Sequence, residues 1–200
     1  MKKKVFILPI ILFFVLIFPI RGNAYSSDPK QFVIELVTEA KKILNSNVDK
    51  EIKSEQLGKL ALETVDIQGI AFYTLGDYRK SLQPENKQEY LDLFEKYFLK
   101  SFTSRLSDHS NPKIEVLEAD VKNAKYTIVK SVLLATDERP EVKIEWRVYT
   151  KNPEKPLIRD LSIEGLSLAR TQKEEFASII ESNNGELSQL FVKLKEFVKK

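Results

Sequence analysis

Read for the spacing of its apolar positions, the chain changes period twice. Phe32, Leu36, Ala40, Ile43 and Leu44 recur at helical intervals behind Asp28 and Pro29, an N-cap and a first helical residue, and predict an amphipathic helix over about 29–46. A polar stretch over 45–53 separates it from a second helical segment over 54–66 with Leu57, Leu60 and Ala61 on one face. A short helix over 68–75 follows and stops at Gly76. The longest helix is predicted over 84–106, where Tyr90, Phe94, Tyr97, Phe98 and Phe102 share one broad face. Such a stripe is either ordinary core or the wall of a cavity that packing leaves open, and periodicity does not separate the two.

Beyond a loop over 107–112 the period becomes two, predicting strands over 113–121, 126–136, 142–150 and 157–164. In the third, Val142, Ile144, Trp146 and Val148 face one way, and Lys143, Glu145, Arg147 and Tyr149 the other. The short connections over 121–125, 137–141 and 151–156 favour an antiparallel meander, wet on one face and covered on the other. Gly165 then ends the last strand, and helices over 167–182 and 186–199 close the chain, divided by Asn183-Asn184-Gly185. Helices, strands and helices in that order predict an α+β fold, with an antiparallel sheet of about four strands packed by about six helices. No repeat or linker marks a second domain, so residues 25–200 read as one unit.

The first 24 residues stand apart from this pattern. Lys2, Lys3 and Lys4 precede an apolar run from Val5 to Ile20, and Arg21-Gly22-Asn23-Ala24 follows, which reads as a secretory signal peptide cleaved after Ala24. Pro9, Pro19 and a run of only 16 residues argue against a spanning helix. Its loss removes four cations, leaving 28 basic against 29 acidic residues, a net charge of −1. Nucleic acid loses its electrostatic footprint as a partner, and so does a polybasic hold on membranes. With no cysteine, an exported chain has neither disulfides nor a lipidated N-terminus, and its stability rests on burial.

Candidate chemistry is sparse. Gly165-x-Ser167-x-Ala169 imitates the strand-turn-helix elbow of hydrolases, but that architecture places its histidine after the serine. The single histidine, His109, lies upstream in a polar loop, so Ser167 is expected to cap the following helix. One histidine and no cysteine give no zinc cluster, and neither EF-hand spacing nor a phosphate-binding Gly-rich loop occurs. Asp160 and Glu164 share a strand face as a carboxylate pair; with Leu161 and Ile163 turned to the core, both acids are expected in solvent. Lys193, Lys195, Lys199 and Lys200 oppose Leu187, Leu190, Phe191 and Leu194 on the last helix, a solvated face that also complements the helix dipole. The chain is therefore not expected to be an enzyme.

Two segments resemble the MlaC family of periplasmic phospholipid-binding proteins, also called toluene-tolerance proteins. One is Leu75-Gly76-Asp77-Tyr78, then Pro84, Tyr90, Phe94 and Phe98; the other is Asp160-Leu161, Glu164-Gly165-Leu166-Ser167-Leu168, Phe176 and Gly185. Arg79 and Pro156 stand where the family often has Trp, and Gln83 replaces a better helix cap. The resemblance implies a sheet like that of nuclear transport factor 2, packed by helices around an apolar pocket. It implies a monomeric periplasmic carrier without cofactor, whose cargo is phospholipid and whose partners are an outer-membrane lipoprotein and porin complex and an inner-membrane ABC transporter. Its role would be to maintain outer-membrane lipid asymmetry. Combined with the strand alternation, it points to Val129, Leu133, Ile144, Trp146, Val148, Leu161 and Ile163 from the sheet, and to Phe72, Phe94, Tyr97 and Phe98 from helices, as lipid-binding residues. The alternatives are a carrier of another lipid such as a hopanoid, a passive periplasmic scaffold, and a cavity enzyme using carboxylates on a small apolar substrate.

Overall fold

The computed structural model describes residues 25–106, 112–137 and 139–199. The leader over 1–24 and His109 lie outside them. Helix α1 spans Pro29–Leu44; Asp28 accepts the Gln31 amide at 2.8 Å, and Pro29 begins the first turn. Helix α2 covers Lys50–Thr64, so four residues expected in the polar connection join it. Lys50, Glu51 and Ile52 lie on its solvent side, where a helix needs no apolar stripe, and the stripe begins only further along, at Leu57. Helix α3 spans Ile67–Thr74, capped by Asp66 on the Gly69 amide, and ends before Gly76, which takes a φ of +55°. A 3-10 turn over Gly76–Ser81 leads into α4, Pro84–Leu106, which starts where its periodicity predicts.

The sheet orders its strands as β1 (Ile114–Asn123), β2 (Tyr126–Leu133), β3 (Val142–Tyr149), β4 (Leu157–Ile163) and β5 (Leu166–Ser167), all neighbours antiparallel. The expected meander of about four strands is present with a fifth, two-residue strand added. Glu164 and Gly165 take φ of 50° and 81°, the pair of left-handed residues that a two-residue hairpin needs, so the chain turns back on itself before entering the next helix. Gly165 is thus a hairpin corner, and the strand does not run directly into the helix. β2 also ends three residues earlier than the alternation suggested, and Thr136 pairs instead with Arg139. Helices α5 (Leu168–Glu181) and α6 (Leu187–Lys199) follow, with Asn184 and Gly185 left-handed between them.

Two apolar clusters make the core. One joins α1 and α2 to the sheet through Phe32, Val33, Leu36, Leu57, Val129, Val148 and Ile158. The other joins α3, α4, α5 and α6 through Ala71, Tyr90, Phe94, Phe176, Ile180 and Leu190. Among the described residues no helix is long and apolar enough to cross a membrane.

Candidate functional site

Antiparallel pairing sets opposed residues on one face of a sheet, and the pairs here define an apolar inner face. Its rows are Thr127, Val148 and Ile158; then Val129, Trp146 and Leu161; then Ser131, Ile144, Ile163 and Leu166; with Leu133 beside Val142 at the end. Trp146 donates its indole N–H to Ser131 Oγ at 2.8 Å, which satisfies its one polar atom within the sheet and leaves the ring to present carbon. Helices α1, α3 and α5 pack on this sheet, whereas α4 packs chiefly on α2, α3 and α6. The boundary between the two clusters, against both of which Val65 packs, is a seam of the core. The stacked rings of Phe98 and Phe102, 5.7 Å apart, bridge it: Phe98 packs against the helical cluster, and Phe102 against the cluster containing the sheet.

The residues singled out from sequence fall into four groups. Val129, Val148 and Phe94 are packed on all sides, so a ligand would meet them only if neighbours moved. Trp146 and Leu161 flank the sheet cluster and are half-buried, as are Leu133 and Ile144; Ile163 is exposed. Tyr97 and Phe98 flank the helical cluster, and Tyr97 is tied into it by donating to Gln172 Oε1 at 2.6 Å and by ring contacts to Phe94, Phe176 and Phe197. Phe72 belongs to neither cluster and lies beneath Lys87, whose Nζ is 5.3 Å from its ring. Phe102 and Leu106, which complete the α4 side of the seam, were not among the singled-out residues, although Phe102 stands one turn beyond Phe98 in the same stripe.

The carboxylates behave differently from the expectation that both lie in solvent. A β-bulge between Ile158 and Asp160 adds Arg159 to the strand. Asp160 is half-buried and accepts from Ser167 Oγ at 2.6 Å and from the Ala169 amide at 3.0 Å, pinning the first turn of α5 to the sheet. Ser167 in turn accepts the Arg170 amide at 3.1 Å, the N-cap bond expected of it. Glu164 is exposed on the hairpin, where it accepts the Lys143 amide at 2.5 Å. Both acids thus serve the backbone. Arg159 donates Nε to Asp66 Oδ2 at 2.5 Å and Nη1 to Tyr126 Oη at 2.8 Å, and it stacks 3.6 Å from the centre of the Tyr149 ring. Nothing in the sequence pattern announced that clasp.

Elsewhere, a cleft of about 410 Å³ opens between α1 and α2, lined by Tyr25, Glu39, Lys42, Gln56, Lys59 and Glu63 among others. Its charged walls suit an apolar chain poorly. Among the described residues no group of three or more His, Cys, Asp or Glu is placed to hold a metal ion.

No curated protein matches the chain. Among solved structures it is similar to the phospholipid-binding protein from Ralstonia solanacearum in complex with a phospholipid, with a TM-score of 0.72 at 18% identity, covering 87% of this chain and 97% of that one. At that identity the likeness is one of fold. The family model described as MlaC protein matches residues 33–196, from the second turn of α1 to the last of α6. Carrying the whole helix, sheet and helix succession along with both motifs, the chain belongs to the MlaC family.

Proposed function

We propose that this protein is a periplasmic phospholipid carrier that takes its cargo between an outer-membrane lipoprotein and porin complex and an inner-membrane ABC transporter. The observation that carries the reading is the family match over 33–196. The seam adds a physical reason. Its half-buried residues Phe98, Phe102, Trp146 and Leu161 offer carbon at the edges of the two clusters, with Ile144 and Leu133 half-buried on the same sheet face, and this apolar boundary is where acyl chains would be taken in. Val129 and Val148 on the sheet side and Phe94 on the helical side are the packed residues behind it.

Acyl burial gains about 0.8 kcal/mol per CH2, so two chains of ordinary length gain on the order of 20 kcal/mol before costs. Release into water would be negligibly slow. Lipid then leaves by direct handover, when a membrane partner opens the seam and supplies the energy.

Native mass spectrometry of the mature protein purified from a periplasm tests the reading. The expected species is the protein with a phospholipid mass added; a hopanoid mass would reassign the cargo. Protein that emerges bare, and takes up nothing from phospholipid vesicles, would overturn it.

A further inference from the structure

From the centre of the inner face exposure rises toward the β4–β5 hairpin, as it also does toward Val121 on β1, the partner of Thr127. Val129 and Val148 are 0% exposed and Ile158 is 4%; Trp146, Leu161 and Ile144 are half-buried; Ile163 reaches 39% and Leu166 61%, with Leu168 at 38% where α5 begins. Ile144, Ile163 and Leu166 are successive cross-strand partners, so their side chains adjoin and the apolar surface is continuous from the seam to the outside. Three large aliphatic residues in the six from Ile163 to Leu168 are more than a solvent hairpin calls for.

The hairpin is also held firmly. Glu164 and Gly165 fix its corner, Glu164 binds the Lys143 amide on one side, and Asp160 binds Ser167 and Ala169 on the other. Lys143 and Arg170 are exposed near the hairpin and Glu164 on its corner, so a headgroup left outside the apolar strip would meet charged side chains of both signs.

We propose that the β4–β5 hairpin is the lip over which an acyl chain of the cargo phospholipid slides into the seam, with Leu166 as its outermost contact and Ile163 and Ile144 as the next. The proposal rests on the carrier reading and adds where the lipid passes. It fits a chain that must cross from one apolar phase to another, because each methylene leaving a membrane meets Leu166 before it meets water.

Trp146, the only tryptophan, lies along this path and supplies the signal. Delipidated protein is mixed with vesicles of phosphatidylglycerol carrying brominated acyl chains, and the quenching of Trp146 is followed in time. A charge at the lip opposes passage of an apolar chain, so Leu166→Asp is expected to slow quenching roughly tenfold. Val121→Asp, at a residue 72% exposed on the opposite edge strand, is expected to match the wild type. Circular dichroism checks that each variant is folded, and Leu168→Asp carries the same test if Leu166→Asp is not. Wild-type quenching with an unchanged rate in the lip variants would overturn the route and leave the carrier standing, as would equal slowing by Val121→Asp. No quenching of the wild type, together with no lipid by mass, would overturn the carrier and the route with it.

Discussion

Asp160 accepts from Ser167 Oγ and from the Ala169 amide, and these two bonds occupy both of its oxygens. The same Ser167 caps α5. Removing the hydroxyl in Ser167→Ala is expected to cost about 1 kcal/mol, read as a lower midpoint in urea unfolding. Asp160→Ala leaves the Ala169 amide without its acceptor and is expected to cost about 1–3 kcal/mol. Because the two share a bond, the double variant should lose less than the sum; full additivity would mean that they act independently.

Tyr25 gives a second residue-scale prediction. Burial first, then the carboxylates Glu39, Glu63 and Glu35, push its phenol up from 10.0 to about 12. The folded state therefore holds this proton more tightly than the unfolded chain does. The stability it contributes is complete below about pH 10 and is lost as pH rises through about 12. Unfolding of Tyr25→Phe, compared with the wild type from pH 9 upward, should show a weaker loss across that window.

At the scale of elements, the hairpin between β4 and β5 depends on Gly165. A Cβ there would meet nothing within 4 Å, so the cost of Gly165→Ala is conformational: φ is +81°, which an L side chain adopts at about 1–2 kcal/mol. Gly76 is left-handed too, but its Cβ would fall 2.6 Å from Lys173 Cε, the far part of a flexible side chain that can move away. Thermal unfolding of Gly165→Ala checks the first figure.

The start and course of helix α4 were legible because Pro84 suits a first helical position and its stripe keeps period. The start of α2 was not, since its first turns carry no apolar signal. The two-residue β5 was missed for a related reason: a strand that short has no alternation to read.

For the whole molecule, the Arg159 clasp is the contact with most reach. It fastens the corner between α2 and α3 to the sheet, beside the backbone bond from the Asp66 amide to Ile158 O at 2.9 Å. Arg159→Ala would leave the partly buried Asp66 carboxylate without its cation and is expected to cost about 1.5–3 kcal/mol. Hydrogen exchange should then accelerate in α3 more than in α1, because α3 loses a tether while α1 keeps its packing on β1 and β2. Equal acceleration in both helices would show that the clasp acts only on global stability.

The order and type of the long elements, the inward face of β3 and the capping role of Ser167 were determined by the sequence alone. Each follows from local periodicity and backbone chemistry. The tertiary structure decided which aromatic residues are core and which bridge the seam: Phe94 and Phe98 occupy the same stripe, yet one is enclosed and the other stacks on Phe102 between two clusters. It also decided that Asp160 serves a helix and that Arg159 meets Asp66, a partner 93 residues away. A bulge, an added two-residue strand and the separation of two clusters arise from pairing between distant segments. Periodicity reports only which way a side chain points; what it meets there depends on the rest of the fold.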